Sequence, residues 1–307
     1  MTPEALDCCD SFTALGHTRA KAAEEPQQSR AFGVIAHDVS PHASLDLRAR
    51  IRLQCTHMAA TEAEFLLIDN SNSFTKFAIA TRKEICCTPR RLSTPAVEKD
   101  SLGRILHGWK FQSVIMCSVV PSKGELLAQM LAPHRVHSVT AKTKLGIGID
   151  YPAPRTIGAD RLANAAGVAH FYGAPVVAVD FGTAVSFDVI SKAKNYVGGV
   201  IAPGLEAMTD YLHTRTALLP KISLIEPPTA IGKSTRNAML SGAVHGYRGL
   251  VREILAQIAT ELGAGKKLTV VATGGYAELI AAGLPEIKKV HPDLTLEGLR
   301  IIGTLNL

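Results

Sequence analysis

The chain has 307 residues, 47% of them hydrophobic and 20% charged, which is enough for two domains with cores of their own and excludes a disordered polymer. Its net charge of +6 is spread without a basic block or stripe, and one Trp among few aromatics gives no base-stacking platform, so no nucleic-acid partner is expected. No apolar run approaches the ~18–20 residues that cross a bilayer, and the N-terminus lacks the apolar core of a secretion signal.

Residues 1–62 mix Pro, Gln, Ser, His and the paired acids Glu24 and Glu25 without a sustained period, and read as a disordered or weakly ordered leader. Met58, just ahead of the first convincing strand, is a candidate natural start. The cysteines Cys8, Cys9, Cys55, Cys86, Cys87 and Cys117 contain no C-x-x-C pair, so they read as reduced thiols of a cytoplasmic protein.

From Phe65 the pattern sharpens. FLLID reads as a buried strand, SFTKFAIAT as a second and EICCT as a third. A helix over Glu98–His107 precedes a strand at SVIMCSV, and Pro121 opens a helix through Leu131. VHSVT is a short strand, and residues 141–157, with Gly146, Gly148, Pro152 and Pro154, read as a surface loop. A helix opening near Gly158 carries ADRLANAAGVAHFY, whose small residues suit close packing against a sheet. Three strands follow, PVVAVD, AVSFDVIS and NYVGGVI, then a helix after Gly204 and a long one from about Ser234 to Leu262. KLTVVATG is a strand, Tyr276–Ala282 a helix, and LTLEGLRIIGTLN the last helix.

One internal echo organises these elements. FLLIDNSNSFTKFAI and VVAVDFGTAVSFDVI share an apolar strand, an Asp, a small polar turn and a second strand. The repetition predicts two α/β lobes built on one plan around a cleft.

The same echo carries the candidate chemistry. In VDFGTAVSFD a buried strand delivers Asp180 to its end, Gly182 permits a tight turn and Thr183 adds a hydroxyl; amides and hydroxyl suit a phosphate, and the carboxylate suits a hard cation. The plain alternative is a hairpin with a polar turn. The first copy, Asp69-Asn70-Ser71-Asn72-Ser73, runs through Phe74 and Thr75 to Lys76 and has the same form, against the alternative of an exposed β-turn. Gly158-Ala159-Asp160-Arg161 sits at a helix start, where Asp160 suits a base for a substrate hydroxyl and Arg161 a fork for an anion. An Asp160 cap beside an Arg161 surface ion pair is the other reading. Gly198-Gly199 and Pro203-Gly204 frame another tight loop, and Thr273-Gly274-Gly275 joins a strand to a helix in a way that admits a nucleotide. His213 and His245 read as packed or solvated, and there is neither a G-x-x-x-x-G-K-[ST] loop nor a G-x-G-x-x-G.

Eight ordered pieces, LLIDNSNSFTKF, CSVVP, YPAPRTIGADRLANA, VVAVDFGTAVSFD, GGVIAPGL, TALLP, IGKSTRNAMLSG and TGGYAELI, together resemble the type III pantothenate kinases of the acetate kinase, sugar kinase, Hsp70 and actin superfamily. The resemblance covers about residues 64–307. It implies two actin-like, ribonuclease H-like lobes, each a mixed sheet with flanking helices, at 63–157 and 158–307, the second carrying dimerisation helices. It implies ATP-dependent phosphorylation of pantothenate to 4′-phosphopantothenate, the first step toward coenzyme A. Asp69 to Lys76 would hold ATP phosphates, with Thr183 and with Thr273, Gly274 and Gly275 near the adenosine. Asp180 would take a monovalent cation, K⁺ or NH₄⁺, with Mg²⁺ arriving on ATP. Tyr151, Gly158, Ala159, Asp160 and Arg161 would bind pantothenate, with Asp160 as general base, and Thr235 would reach it from the partner of a homodimer. The family usually has Gly where this chain has Ser71; if that position needs a left-handed backbone, the side chain costs on the order of 1 kcal/mol. A nucleotide-binding accessory protein of the same fold, with weak or no catalysis, is the alternative function.

Overall fold

The structure, a computed structural model, describes residues 62–307. The expected leader, apart from Glu62, lies outside the described residues, as do Cys8, Cys9, Cys55 and Met58. The first sheet contains β1 (Glu62–Asn70), β2 (Phe74–Ala80), β3 (Arg90–Ser93), β4 (Lys110–Ser118) and β5 (Val136–Ser138), in the order β3-β2-β1-β4-β5. The second contains β6 (Gly148–Ile149), β7 (Val176–Phe181), β8 (Ala184–Ile190), β9 (Asn195–Pro203), β10 (Thr269–Thr273) and β11 (Lys289–Val290), in the order β11-β10-β7-β8-β9-β6.

The two sheets share a plan. In each, two antiparallel strands lie on one side of the leading strand and two parallel strands on the other: β2 and β3 against β4 and β5 around β1, then β8 and β9 against β10 and β11 around β7, with β6 added beyond β9. The echo in the sequence is therefore an echo in topology. β1 and β7 are central, apolar and buried on both faces, as strands flanked by other strands and covered by helices must be.

Helices fill the layers. One face of the first sheet packs on α1 (Lys99–Leu106) and α2 (Pro121–Met130) through Leu102 and Leu127. Between the sheets lie α3 (Ala159–Tyr172) and α7 (Leu294–Asn306), whose Leu162, Ala166, Leu299 and Ile302 join one core with Phe65 and Ile115 of the first sheet and Val176 and Val271 of the second. The far face of the second sheet carries α4 (Leu205–Arg215), α5 (Thr235–Glu261) and α6 (Ala277–Ala281). Burying each such Leu or Ile contributes about 1.5–3 kcal/mol. The close approach of α3 and α7 depends on a missing side chain: a Cβ on Gly298 would stand 1.9 Å from the Ala163 carbonyl oxygen.

Three expectations need correction. EICCT makes only the isolated bridge Ala80–Ile85, because Thr81–Glu84 closes a tight turn; the third strand is Arg90–Ser93. That strand lies at a sheet edge and needs no apolar run, since Arg90 lies 4.2 Å over the Trp109 ring and bonds the carbonyl of Ile105. Residues 141–157 are not all surface loop, for Gly148–Ile149 adds β6 beside β9. Gly198-Gly199 lies within β9 rather than in a turn.

Candidate active site

β1 ends on Asp69 and Asn70, both buried. Asn70 is held from two sides: its Nδ2 donates to Thr75 Oγ1 at 2.8 Å, and its Oδ1 accepts from Ser118 Oγ at 2.7 Å. Asp69 accepts from Ser71 Oγ at 2.7 Å and faces Lys76 Nζ at 3.7 Å. Thr94 Oγ1 donates to the Ser71 carbonyl at 2.6 Å. The β1–β2 turn is thus fixed by its own hydroxyls and by Thr94 and Ser118 from neighbouring segments. Ser71 is not in the left-handed region, where Lys194 is the one non-glycine among the described residues. A serine there carries no backbone penalty, and its hydroxyl is spent on Asp69.

β7 ends in the equivalent way on Asp180. Burial pushes this carboxyl up to about 6, opposed by Lys76 and by Asn164, whose Nδ2 donates to Asp180 Oδ2 at 3.2 Å. Asp69 and Asp160 add to the rise through their charge, so these three carboxylates and Lys76 form one electrostatic group. The two polar turns also touch: Ser73 and Thr183 hydroxyl oxygens lie 2.8 Å apart. The echoed turns, 110 residues apart in sequence, face each other across the two sheets.

Gly158 caps α3 and Asp160 lies in its first turn. Asp160 is not the cap; its Oδ1 accepts from the Arg161 amide at 2.8 Å, and a Cβ on Gly158 would stand 2.6 Å from that oxygen. Burial raises the Asp160 pKa, the neighbouring amide lowers it and Asp69 raises it. Arg161 is not in a surface pair either. Its Nε donates to Asp188 Oδ1 at 2.6 Å and its Nη2 to the Phe187 carbonyl at 3.3 Å. Tyr196 lies beneath the guanidinium, 5.8 Å from ring centre to Cζ, with Tyr151 edge-on at 6.2 Å. A Cβ on Gly199 would collide with Phe187 O and Arg161 Nη2, which is why β9 carries glycine there.

Thr273 pairs with Asp180 in register, and Gly274 follows with φ +91°. A Cβ on Gly274 would come within 2.5 Å of Asp180 Oδ1, so this turn is packed directly on the carboxylate. Gly204 is as tight, since its Cβ would lie 2.4 Å from the Thr183 carbonyl oxygen. Thr235 stands elsewhere, exposed on the first turn of α5, and among the described residues no hydrogen bond or ion pair joins it to the carboxylates. A cavity of about 580 Å³ opens nearby, lined by Pro228, Thr229, Ala230, Ile231, Lys233 and Asn237. It holds none of the three carboxylates, so charge rather than cavity size locates the chemistry.

Two residues escaped the sequence reading. Asn164 bridges Asp180 to Thr295 of α7, whose hydroxyl donates to Asn164 Oδ1 at 2.8 Å. Asp188 is fully buried in β8. Both carried a signal: a polar residue inside an apolar helix face or strand needs a buried partner.

A family model described as type III pantothenate kinase matches residues 65–257. The type III pantothenate kinase of Akkermansia muciniphila is 52% identical over 243 residues, covering 79% of this chain and 99% of the relative. That of Methylacidiphilum infernorum is 42% identical, covering 78% and 88%, and that of Moorella thermoacetica 39% identical, covering 77% and 97%. Among solved structures, a Campylobacter jejuni protein assigned to the Baf family superposes with TM-score 0.52 at 19% identity, over 77% of this chain and 96% of that one. A Sinorhizobium meliloti protein described as a 2-dehydro-3-deoxygalactonokinase gives 0.50 at 13% identity, over 78% and 98%. At those identities the likeness is one of fold alone, two α/β sheets built on one plan.

Proposed function

We propose, from the premise that this chain belongs to the type III pantothenate kinase family, a residue-level account of its phosphoryl transfer. Family membership makes it a kinase that uses ATP with a divalent cation and phosphorylates pantothenate for coenzyme A synthesis. The observation that carries the finer reading is the grouping of Asp69, Asp160, Asp180 and Lys76 beside two polar turns in contact.

In this account the turn Asp69–Lys76 and Thr183 hold the ATP phosphates through amides and hydroxyls, with Lys76 supplying positive charge. Thr273, Gly274 and Gly275 lie toward the adenosine. Tyr151 and Gly158–Arg161 hold pantothenate, and Arg161 meets its carboxylate. Asp160 accepts the proton of the primary hydroxyl at Oδ2, since Oδ1 is occupied by the Arg161 amide. The freed oxygen then bonds to the γ-phosphorus as the bond to ADP breaks. Burial, which raises the Asp160 pKa, favours its taking that proton.

The donor set fits the cations. Among the described residues no three His, Cys, Asp or Glu side chains form a cage. Asp69 and Asp180 alone supply the one or two carboxylates that suit a hard ion carried by phosphates. Asp180 would also take K⁺ or NH₄⁺, which supplies positive charge against the phosphates when bound.

The reading includes a homodimer. Ile201, Tyr211, Leu218, Ile225 and Ile231 are large apolar residues left 58–89% exposed within residues 201–231, next to Thr235. Such a concentration supports a protein contact, with Thr235 serving the partner's site. No helix among the described residues is long and apolar enough to cross a membrane, and the reading places the enzyme in the cytoplasm.

Asp160→Asn tests the base. Turnover should fall by about 10²–10⁴ with ATP affinity and thermal stability retained. Near-wild-type rates for that variant would remove Asp160 from the role.

A further inference from the structure

Arg161 is the cation that the functional reading assigns to the pantothenate carboxylate, yet the fold has already engaged most of it. Nε is bound by Asp188 at 2.6 Å and Nη2 by the Phe187 carbonyl at 3.3 Å. Tyr196 supports the guanidinium from below and donates its hydroxyl to the same Asp188 oxygen at 3.4 Å. Among the described residues Nη1 is the side-chain nitrogen of Arg161 without a protein partner.

Asp188 is an unusual residue to find there. It is 0% exposed, in the middle of β8, and its Oδ2 has no hydrogen-bond partner among the described residues. Burial raises its pKa, to about 7, and Arg161 is the group that opposes the rise. A buried, half-satisfied carboxylate is a poor stability device, because replacing such an ion pair with apolar residues is often neutral or stabilising. Its geometry suits another purpose. A flexible arginine with one nitrogen free samples many directions, whereas one tied at Nε and Nη2 presents Nη1 along a single direction. Gly199 is part of the same arrangement, since any side chain there would displace Nη2.

We propose that Asp188 is a positioning residue that selects the acidic substrate: by tethering Arg161 at Nε it aims Nη1 at the pantothenate carboxylate. This rests on the reading of Arg161 as the carboxylate ligand. The ligand class it favours is a chain with a carboxylate at one end and a primary hydroxyl at the other, over analogues in which the acid is neutral.

The test compares pantothenate with pantothenol, the analogue bearing a primary alcohol in place of the carboxylate. Steady-state constants for both substrates at saturating ATP, and KM for ATP at saturating pantothenate, are measured for wild type, Asp188→Asn, Asp188→Glu and Arg161→Ala. Wild type should prefer pantothenate in kcat/KM, and Asp188→Asn should lose at least tenfold of that preference, mostly in KM for pantothenate, with KM for ATP within twofold. Asp188→Glu keeps the buried charge and so guards against a folding failure; it should lose a smaller part of the preference. An Asp188→Asn enzyme that slows equally on both substrates, or one with the wild-type preference, would overturn the proposal and leave Asp188 a structural residue. If Asp188→Asn does not fold, an Asp188→Glu enzyme with undiminished preference overturns it likewise. Loss of preference in Arg161→Ala but not in either Asp188 variant refutes the tether alone; preference retained in Arg161→Ala refutes the underlying assignment.

Discussion

Replacing Asp180 by Asn should stabilise this protein at neutral pH while harming its catalysis. The Asp180 carboxyl is raised from 3.8 to about 6, first by burial and then by Asp69 and Asp160, against the opposing pull of Lys76 and Asn164. A carboxyl whose folded pKa lies above its unfolded one contributes stability only while protonated. That contribution is complete below the unfolded value of 3.8 and is lost as pH rises through about 6. Two pKa units at 1.36 kcal/mol each give about 3 kcal/mol as the ceiling on the loss by pH 7.5. Asp180 retains some solvent contact, so the measured gain should fall below that ceiling, at roughly 1–2 kcal/mol. Asparagine never incurs the loss, and its amide oxygen still accepts from Asn164. Urea melts at pH 4.5 and 7.5 in choline chloride, without potassium, separate the cases: the variant should exceed wild type at pH 7.5, and by roughly a third as much at pH 4.5, where most of the contribution is still present. Adding potassium should stabilise wild type and narrow the difference. A variant less stable than wild type at pH 7.5, or a difference that ignores pH, would refute the reasoning.

Gly274→Ala should cost roughly 2 kcal/mol or more, because it combines a backbone at φ +91° with a Cβ 2.5 Å from Asp180 Oδ1. Thermal denaturation measures the loss, and an unchanged melting temperature would contradict the close packing. Ile231→Glu, at a residue 81% exposed, should convert a dimer to a monomer with an unaltered fold. Light scattering coupled to gel filtration, with a pantothenate assay on the same fractions, checks this; a monomer with full activity would contradict a pocket shared between subunits.

How much was legible in the sequence depended on whether a residue's role was local. Asp69 and Asp180 could be found because each ends an apolar strand and opens a small polar turn, a pattern repeated within one chain. The same repetition pointed to two lobes on one plan, but not to the order of strands within each sheet. Asp160 was legible as a helix-start acid, but whether it capped the helix was not; the structure gives the cap to Gly158 and turns Asp160 onto the Arg161 amide. Partners far apart in sequence were not legible. The residue that binds Arg161 lies 27 positions away, and Thr295 meets Asn164 across 131. The departure at Ser71 could be noticed but not weighed, because its consequence turned on a backbone angle that sequence does not print. Edge strands were the weakest point: β3 and β11 are short and pair on one side only, so they need no apolar run, and EICCT, which had one, folds into a turn and a single bridge.

The central claim is tested most directly by ATP-dependent phosphorylation of pantothenate by the purified chain, followed as 4′-phosphopantothenate formed, in potassium and in sodium. The account predicts product in both, with a marked advantage in potassium that Asp180→Asn removes. Folded dimer that yields no 4′-phosphopantothenate in either salt at saturating ATP would contradict it.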